Sequence, residues 1–341
     1  MATIREIAKE TGLSIATVSK VLNGKGGVSS ETQKKVQRAA KRLNYRPNLN
    51  ARFLKSGCSK TIGIITEDLT VFCAPEIVDG IAEACDAAGY HTILGNLRFF
   101  KRYGNGLRDP KETKKLIHDA VGEMISKQVD GIIYIGSHSH LLVSLAEHEG
   151  PQFVCAYCIC EDAGVPSVVY NEEKAACDLT LRLLESGCSH LGMITGPVDS
   201  SHTINRTRGY MNALFNCGVL YDPSLTLTGD WERDSGYNMG MQLLDKGADA
   251  IFAQNDVMAV GVIDACNERG LIVGKDVKLI GFDNREIATV SRPALSSVTL
   301  PLFDIGQTAA KEMLGILSGD VPQKKTILLD CELVERESSL G

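Results

Sequence analysis

The sequence predicts an α/β protein: a small all-α head on a larger body of doubly wound parallel sheets. Three observations carry this. Residues 3–43 follow helical periodicity interrupted by capping signals. From Thr61 on, short apolar runs alternate with amphipathic stretches, the pattern of parallel strands covered by helices. The charge, finally, is divided along the chain. Residues 1–60 hold thirteen lysines and arginines against three acids, a net +10, whereas the remainder holds 23 bases against 39 acids, a net −16. A basic head on an acidic body suggests that the head meets a polyanion. A length of 341 residues suits two or three domains, and 44% hydrophobic with 23% charged residues excludes collagen, coiled-coil and long disordered chains. No run of about 18 apolar residues occurs, so no membrane-spanning helix is expected. The opening residues Met1-Ala2-Thr3-Ile4-Arg5-Glu6 carry charge where a signal peptide has its apolar core, which predicts a cytoplasmic location.

The head elements follow in order. Thr3-x-x-Glu6 is a capping box, Ile4, Ile7 and Ala8 repeat at helical spacing, and Gly12 follows a helix end at Glu10 or Thr11. Ser14 can cap a second helix over residues 15–22. Ser30-x-x-Gln33 reads as a second capping box, opening a third helix with Val36, Ala40 and Leu43 on one face. Two helices joined by a tight turn at Gly12 match a helix-turn-helix. In that motif the second helix enters the major groove and its first turns meet base edges. Residues 48–55 are too few for a helix stable on its own.

The stretches Thr3-Ile4-Arg5-Glu6-Ile7-Ala8, Gly12-Leu13-Ser14 and Thr17-Val18-Ser19-Lys20-Val21-Leu22-Asn23 together resemble the DNA-binding domain of the LacI/GalR family of bacterial repressors. Leu43-Asn44-Tyr45-Arg46-Pro47-Asn48-x-x-Ala51-Arg52-x-Leu54 resembles the hinge of that family, and the likeness continues to about residue 338. The resemblance implies that Ile15, Ala16 and Lys20 read bases and that Thr17, Ser19 and Asn23 meet phosphates. It also implies that Asn48, Ala51 and Leu54 belong to a hinge helix that folds on the operator, Leu54 wedging into the minor groove. The chemistry agrees. A lysine can donate to guanine O6 or N7, Ile15 and Ala16 can touch a thymine methyl, and short polar side chains suit phosphates. No leucine heptads follow the body, so a homodimer on roughly palindromic double-stranded DNA is expected.

In the body, strands are predicted over 61–66, 90–94, 131–135, 153–158, 191–195, 250–252, 278–282 and 297–299. Helices are predicted over 74–88, 110–127, 172–185, 202–216, 235–246, 256–269 and 302–317. Eight strands suit two doubly wound sheets, and such sheets bind ligands beyond the carboxyl ends of their strands. Polar groups gather there: Glu67-Asp68, Asn255-Asp256, Asp283-Asn284, Arg206 early in its helix, and Trp231, the only tryptophan. A carboxylate, an amide, a guanidinium and an indole are what a polyol site needs. Other roles stay open: a helix N-cap for Asn255, core packing for Trp231, a structural ion pair for Arg206.

The body resembles the two-lobed sugar-binding fold shared with periplasmic binding proteins, which implies three chain crossings, placed near Asp162, Arg292 and Pro322. The expected domains are a helix-turn-helix domain at 1–46, a hinge and linker at 47–60 and a body at 61–341. The N-lobe takes about 61–162 and 292–322, the C-lobe about 163–291 and 323–341. The resemblance implies effector contacts from Arg206, Trp231, Asn255 and Asp283, with Glu67, Cys73 and Ala74 on the N-lobe side. Two departures stand out. Val71-Phe72-Cys73-Ala74 replaces a stretch that in many members resembles Asn-Pro-Phe-Phe, and Ala156-Tyr157 stands where many carry an aspartate. The resemblance then implies a mono- or disaccharide rather than a stacked purine.

Other functions fare worse. The eleven cysteines are odd in number and scattered. Cys155-x-x-Cys158 lies in a strand where residues three apart face opposite ways, and no second Cys/His pair is spaced for zinc, so neither metal nor cofactor is expected. Gly24-x-Gly26-Gly27 follows no strand, Gly104-x-Gly106 lacks a third glycine, and no Gly-x-Ser-x-Gly occurs. His138 and His140 lack further placed ligands. The expectation is a sequence-specific transcriptional regulator, by family default a repressor, and not an enzyme. A free-standing cytoplasmic sugar-binding protein and a regulator controlled by a phosphorylated carrier protein are the alternatives.

Overall fold

The computed structural model describes residues 2–22, 27–45, 58–103, 110–136, 141–142, 145, 150–160, 164–323 and 325–340. Asn23, Asn48, Ala51, Leu54, the crossing at Asp162 and the pair His138 and His140 lie outside the described residues. The chain divides into two units, Met1–Ser59 and Lys60–Gly341.

Among its described residues the first unit holds three helices, α1 (Ile4–Thr11), α2 (Ile15–Leu22) and α3 (Ser30–Arg42). The capping box forms: Thr3 Oγ1 accepts from the Glu6 N–H and the Glu6 carboxylate accepts from the Thr3 N–H at 2.6 Å. Gly12 ends α1 in the left-handed region at φ 68°, which costs glycine nothing. The third helix starts differently from the expectation. Ser29, not Ser30, is its cap, accepting from the Thr32 N–H at 3.3 Å, and Gln33 reaches back to the Val28 carbonyl instead of closing a box. Ile7, Ala8, Val18, Val21, Val36 and Ala39 form the core.

The second unit opens with β1 (Thr61–Thr66), α4 (Cys73–Ala87), β2 (His91–Asn96), α5 (Phe99–Tyr103), α6 (Pro110–Ser126), β3 (Gly131–Ile135), β4 (Leu141–Leu142), β5 (Gln152–Ala156), β6 (Ile159–Cys160) and β7 (Ser167–Tyr170). It continues with α7 (Glu172–Glu185), β8 (Leu191–Thr195), α8 (Ser201–Asn216), β9 (Thr226–Thr228), α9 (Arg233–Asp245), β10 (Ala250–Ala253), α10 (Asp256–Glu268), β11 (Lys278–Ile280) and α11 (Glu286–Val290). It closes with β12 (Ser297–Thr299), α12 (Leu302–Ser318), β13 (Thr326–Leu329), β14 (Glu332–Val334) and α13 (Glu337–Leu340). One parallel sheet runs β13-β7-β5-β3-β1-β2 and the other β11-β10-β8-β9. Strands β1 and β3 are buried throughout, as parallel strands covered on both faces must be.

The helices reach the sheets in closely packed pairs. A Cβ added at Gly80 would sit 2.1 Å from the Phe303 carbonyl oxygen, and one at Gly306 2.1 Å from that of Ile77, so α4 and α12 touch backbone to backbone. Gly236 and Gly261 do the same for α9 and α10.

Sheet membership moves the crossings. β7 and β13 pair with each other in the first sheet, at Ser167 with Thr326 through Tyr170 with Leu329. β12 stays with the second, bridging Ile280 to Ser296 and Asp283 to Thr299. The chain therefore changes lobe after Tyr170, Thr299 and Leu329, not near Asp162, Arg292 and Pro322. Each expected crossing stands one strand too early. Residues 153–158 also do not form one strand. Tyr157 takes φ 63° and ends β5, so Cys155, Cys158 and Cys160 face a single core rather than opposite sides. None of the eleven cysteines is in a disulfide. Among the described residues no helix is long and apolar enough to cross a membrane, and no group of three or more potential ligands could hold a metal ion.

Candidate functional site

Two sites take shape, one on each unit. On the head, Ser14 caps α2 by accepting from the Thr17 N–H at 3.1 Å, which fixes the start of the helix. Val18 and Val21 turn into the core. Ile15, Ala16 and Lys20 are exposed on the other side, Ile15 by half its surface. Core packing therefore does not explain the place of Ile15, which stands half exposed on the first turn of α2. Thr17 and Ser19 are half-buried beside them.

In the body, the carboxyl ends of both sheets converge on Arg206. Its guanidinium donates to the Gln254 carbonyl, to Tyr170 Oη at 2.9 Å and to Asp283 Oδ1 at 3.5 Å, and lies 3.6 Å from Glu172. It stacks over the Phe282 ring at 3.8 Å, with Trp231 at 5.9 Å. His202, one turn earlier on α8, pairs with the Glu172 carboxylate and lies 3.2 Å from Tyr170 Oη, while Asn205 donates to the other Glu172 oxygen at 3.0 Å. Tyr157, Tyr170 and His202 form an aromatic group with ring centres 5.4 to 6.1 Å apart. Tyr170 and Tyr157 come from the first sheet and Arg206 and His202 from a helix of the second lobe. A cavity of about 160 Å³ opens beside them, lined by Tyr157, Tyr170, Asn171, Glu172 and Asn205 among others.

The carboxylates of this group are not alike. Burial pushes Asp283 up to about 6, against the pull of Arg206. Burial, reinforced by Asp283, lifts Asp256 to about 7 although the Ser297 hydroxyl and the Arg285 N–H donate to it. Burial would also raise Glu172, but His202 and Arg206 outweigh it and hold the group at about 2. Arg206 is held more firmly protonated by Tyr170, Asp283 and Glu172 in spite of its burial. The backbone is strained where the acid is aimed: Asp283 takes φ 101° and Trp231 φ 75°.

The expected effector residues fare unequally. Arg206 and Asp283 meet, so the ion pair is real, and it lies at the carboxyl ends of strands. Asn255 caps α10, its Oδ1 accepting from the Met258 N–H at 2.7 Å, and its amide donates to the Trp231 carbonyl at 2.9 Å. One role does not exclude the other: the cap orients a side chain that also fixes the tryptophan. The Trp231 ring covers Gly196, where an added Cβ would lie 2.0 Å from it. Glu67 is wholly buried and accepts from Tyr134 Oη at 2.9 Å. The Cys73 thiol, buried and raised, feels both Asp283 and Glu67. Ala74 is buried and brings no polar group.

Sequence reading missed Tyr170, Glu172 and His202. The first two stand at and just after the end of β7, a strand that sequence reading did not predict. His202 could have been found, since it precedes Arg206 by four residues on one helix face.

A helix-turn-helix unit and a two-lobed sheet body with a polar cleft, joined in one chain, define a DNA-binding regulator of the ligand-controlled kind. Residues 3–48 match the family described as bacterial regulatory proteins, lacI family, and residues 180–339 match the periplasmic binding protein-like domain. The chain is 33% identical to catabolite control protein A of Priestia megaterium over 99% of both chains. It is 30% identical to the HTH-type transcriptional repressor CytR of Escherichia coli K12, over 99% of this chain and 96% of that one. A crystal structure of the Lac repressor dimer bound to operator and the anti-inducer ONPF matches with a TM-score of 0.81 at 26% identity, covering 100% of this chain and 99% of that one. A complex of the transcriptional regulator CelR with cellobiose matches with a TM-score of 0.67 at 26% identity, covering 99% of this chain and 100% of that one. The chain belongs to the lacI family of bacterial transcriptional regulators.

Proposed function

We propose that this regulator represses transcription as a homodimer on a roughly palindromic operator. A mono- or disaccharide bound between the lobes changes its grip on DNA. Ile15, Ala16 and Lys20 meet base edges; Thr17, Ser19 and Asn23 meet phosphates; Asn48, Ala51 and Leu54 form the hinge contact. The observation that carries the effector reading is the Arg206 cluster. Tyr170 of one sheet and Asp283 of the other lobe share one guanidinium. A polyol that takes over those hydrogen bonds acts on both lobes at once, and by linkage it and DNA change each other's affinity by the same factor. The Lac repressor complex with operator and the CelR complex with cellobiose support the pairing of the two ligands in one chain.

The test is affinity selection of sheared source-genome DNA on the purified protein at about 0.15 M salt, where weak phosphate binding is suppressed. It is run with and without pooled mono- and disaccharides. A few palindromic sites whose enrichment responds to sugar are expected. No enrichment under either condition would sink the regulator's proposed operator, and enrichment indifferent to every sugar would sink the effector class.

A further inference from the structure

The exposed apolar side chains of the molecule are unevenly placed. Among the described residues thirteen large hydrophobic side chains stand exposed, and five of them, Val198, Ile204, Met211, Phe215 and Leu220, fall on α8 and its two flanks. At 3.6 residues per turn, Ile204, Met211 and Phe215 lie in one stripe about three turns long, with Arg208 beside them. His202 and Arg206, which enter the cleft, point to the other side of the helix, and Tyr210, Ala213 and Leu214 are buried against the body. The stripe is therefore neither cleft nor core. The helix that carries it is fixed. A Cβ at Gly209 would stand 2.1 Å from the Glu173 carbonyl oxygen of α7, and Tyr210 Oη donates to the Leu191 carbonyl at 2.7 Å. A single apolar side chain in water is ordinary. A row of them along a rigid helix, ending on a phenylalanine 84% exposed, marks a contact surface.

Charge and shape indicate what covers it. α8 contains no acid, and the polar border of the stripe is neutralised within the chain: Arg208 pairs with Glu173 at 3.3 Å, and Asn212 donates to the same carboxylate at 2.8 Å. The stripe thus displays no sign of charge that would select a polyanion or a basic partner. Residues 61–341 carry a net −16, so two copies of the body approach closely only where the surface is locally uncharged. The stripe is also complementary to itself. Laid antiparallel on a second copy about a two-fold axis between Arg208 and Met211, it sets Phe215 against the less exposed Ile204 of the partner subunit, and Met211 against the Arg208 stem of the partner subunit. With Leu220 and the Arg208 stem included, such a pair covers on the order of 1,200 Å², the lower end of stable specific interfaces. We propose that α8 is a second self-association face, through which two dimers of this regulator pair into a tetramer. This rests on the homodimer proposed above and adds a contact to it. Four heads in one assembly hold two palindromic sites at once.

Sedimentation velocity on the full chain, from about 1 to 100 μM, tests this in the range where an interface of that size associates. The parent is expected as dimers at the low end and tetramers at the high end. The variant with Met211→Lys and Phe215→Lys is expected to stay dimeric throughout, a loss of at least about a hundredfold in the association of dimers. Both side chains are exposed, and thermal unfolding checks that the variant is folded. Dimers alone at every concentration of the parent overturn the second copy as the occupant of the stripe. Tetramers that persist in the variant place the contact elsewhere and overturn α8. A variant that is monomeric where the parent is dimeric makes α8 the dimer contact itself and overturns the second face. Parent monomers at the low end sink the homodimer reading instead. The α8 face is then upheld if the variant loses the parent's association at the high end, and overturned if the variant keeps it or the parent shows none.

Discussion

The head and the cleft are opposite ways to build a recognition surface. On the head the side chains proposed to read DNA, Ile15, Ala16 and Lys20, stand in water on one face of one helix, and the core beneath them, Ile7, Val18, Val21 and Val36, is a separate set of residues. In the cleft the side chains proposed to meet the effector are themselves buried: Arg206 is 3% exposed, Glu172 4% and His202 6%. There the site and the core are one object, with Arg206 stacked on Phe282 and hydrogen-bonded to the backbone of Gln254. The difference teaches that substitutions on the head should separate binding from stability, whereas in the cleft the two should be lost together.

The largest effect is expected from Arg206→Leu. Removing one partner of a buried charge cluster leaves Asp283 and Glu172 uncompensated, which costs about 3–5 kcal/mol. The body should unfold at a lower temperature while the head, a separate unit, keeps its transition. Calorimetry on the full chain would show this. A body transition left in place would mean that Arg206 is a dispensable ligand contact, and the contrast between the two regions would fail.

The second test is pH. Asp256 titrates near 7 and Asp283 near 6 in the folded chain, above the ordinary aspartate value near 3.8. Their protonated forms favour folding, so this contribution is complete at pH values below the unfolded pKa and is lost as pH rises through 6 and 7. Glu172, held near 2, works the other way: its contribution is present above about 4.5 and is lost as pH falls toward 2. Between pH 5 and 8 the body should therefore lose stability, by on the order of 2–4 kcal/mol. Asp256→Asn should remove most of that slope. Denaturant midpoints measured across this range decide it, and a variant with the slope of the parent would show that Asp256 is not its source. On the head, Lys20→Ala should do the reverse. It should weaken operator binding by about 1–3 kcal/mol at fixed salt and leave the unfolding midpoint where it was.

The same contrast explains how much could be read from sequence. The head was legible because its signals are local: Thr3-x-x-Glu6, Gly12, Ser14 and the Val18/Val21 spacing lie within one or two turns of what they determine. The strands at 61–66, 131–135 and 191–195 were legible for the same reason, being unbroken apolar runs. Arg206 and Asp283 were visible as strand-end polar residues. Their convergence with Tyr170 and Glu172 was not, because that depends on β7 belonging to the first sheet. Ser167-Val168-Val169-Tyr170 is four residues long, and its partner Thr326–Leu329 lies more than 150 residues away. Nothing in either stretch alone names the other. Tyr157 was noticed only as a departure from the family's aspartate and was read inside a strand over 153–158; its positive φ ends β5 there, and its side chain lines the cavity.

The smallest test probes the most local signal. Thr3→Ala removes the Oγ1 acceptor of the Glu6 N–H and releases one end of the capping box. A cap of this kind is worth about 1 kcal/mol. The described residues of the head form three helices around six buried apolar side chains, so that loss is a sizeable share of its stability. Its unfolding transition should move down by several degrees while the body's stays fixed, because α1 packs on α2 and α3. The reading surface is rigid only while that core holds, so operator affinity should fall most near the head's new midpoint and little well below it. An affinity loss that is constant with temperature would place Thr3 in direct contact with DNA, and the separation of core from surface on the head would then be less complete than the exposure of Ile15 and Lys20 implies.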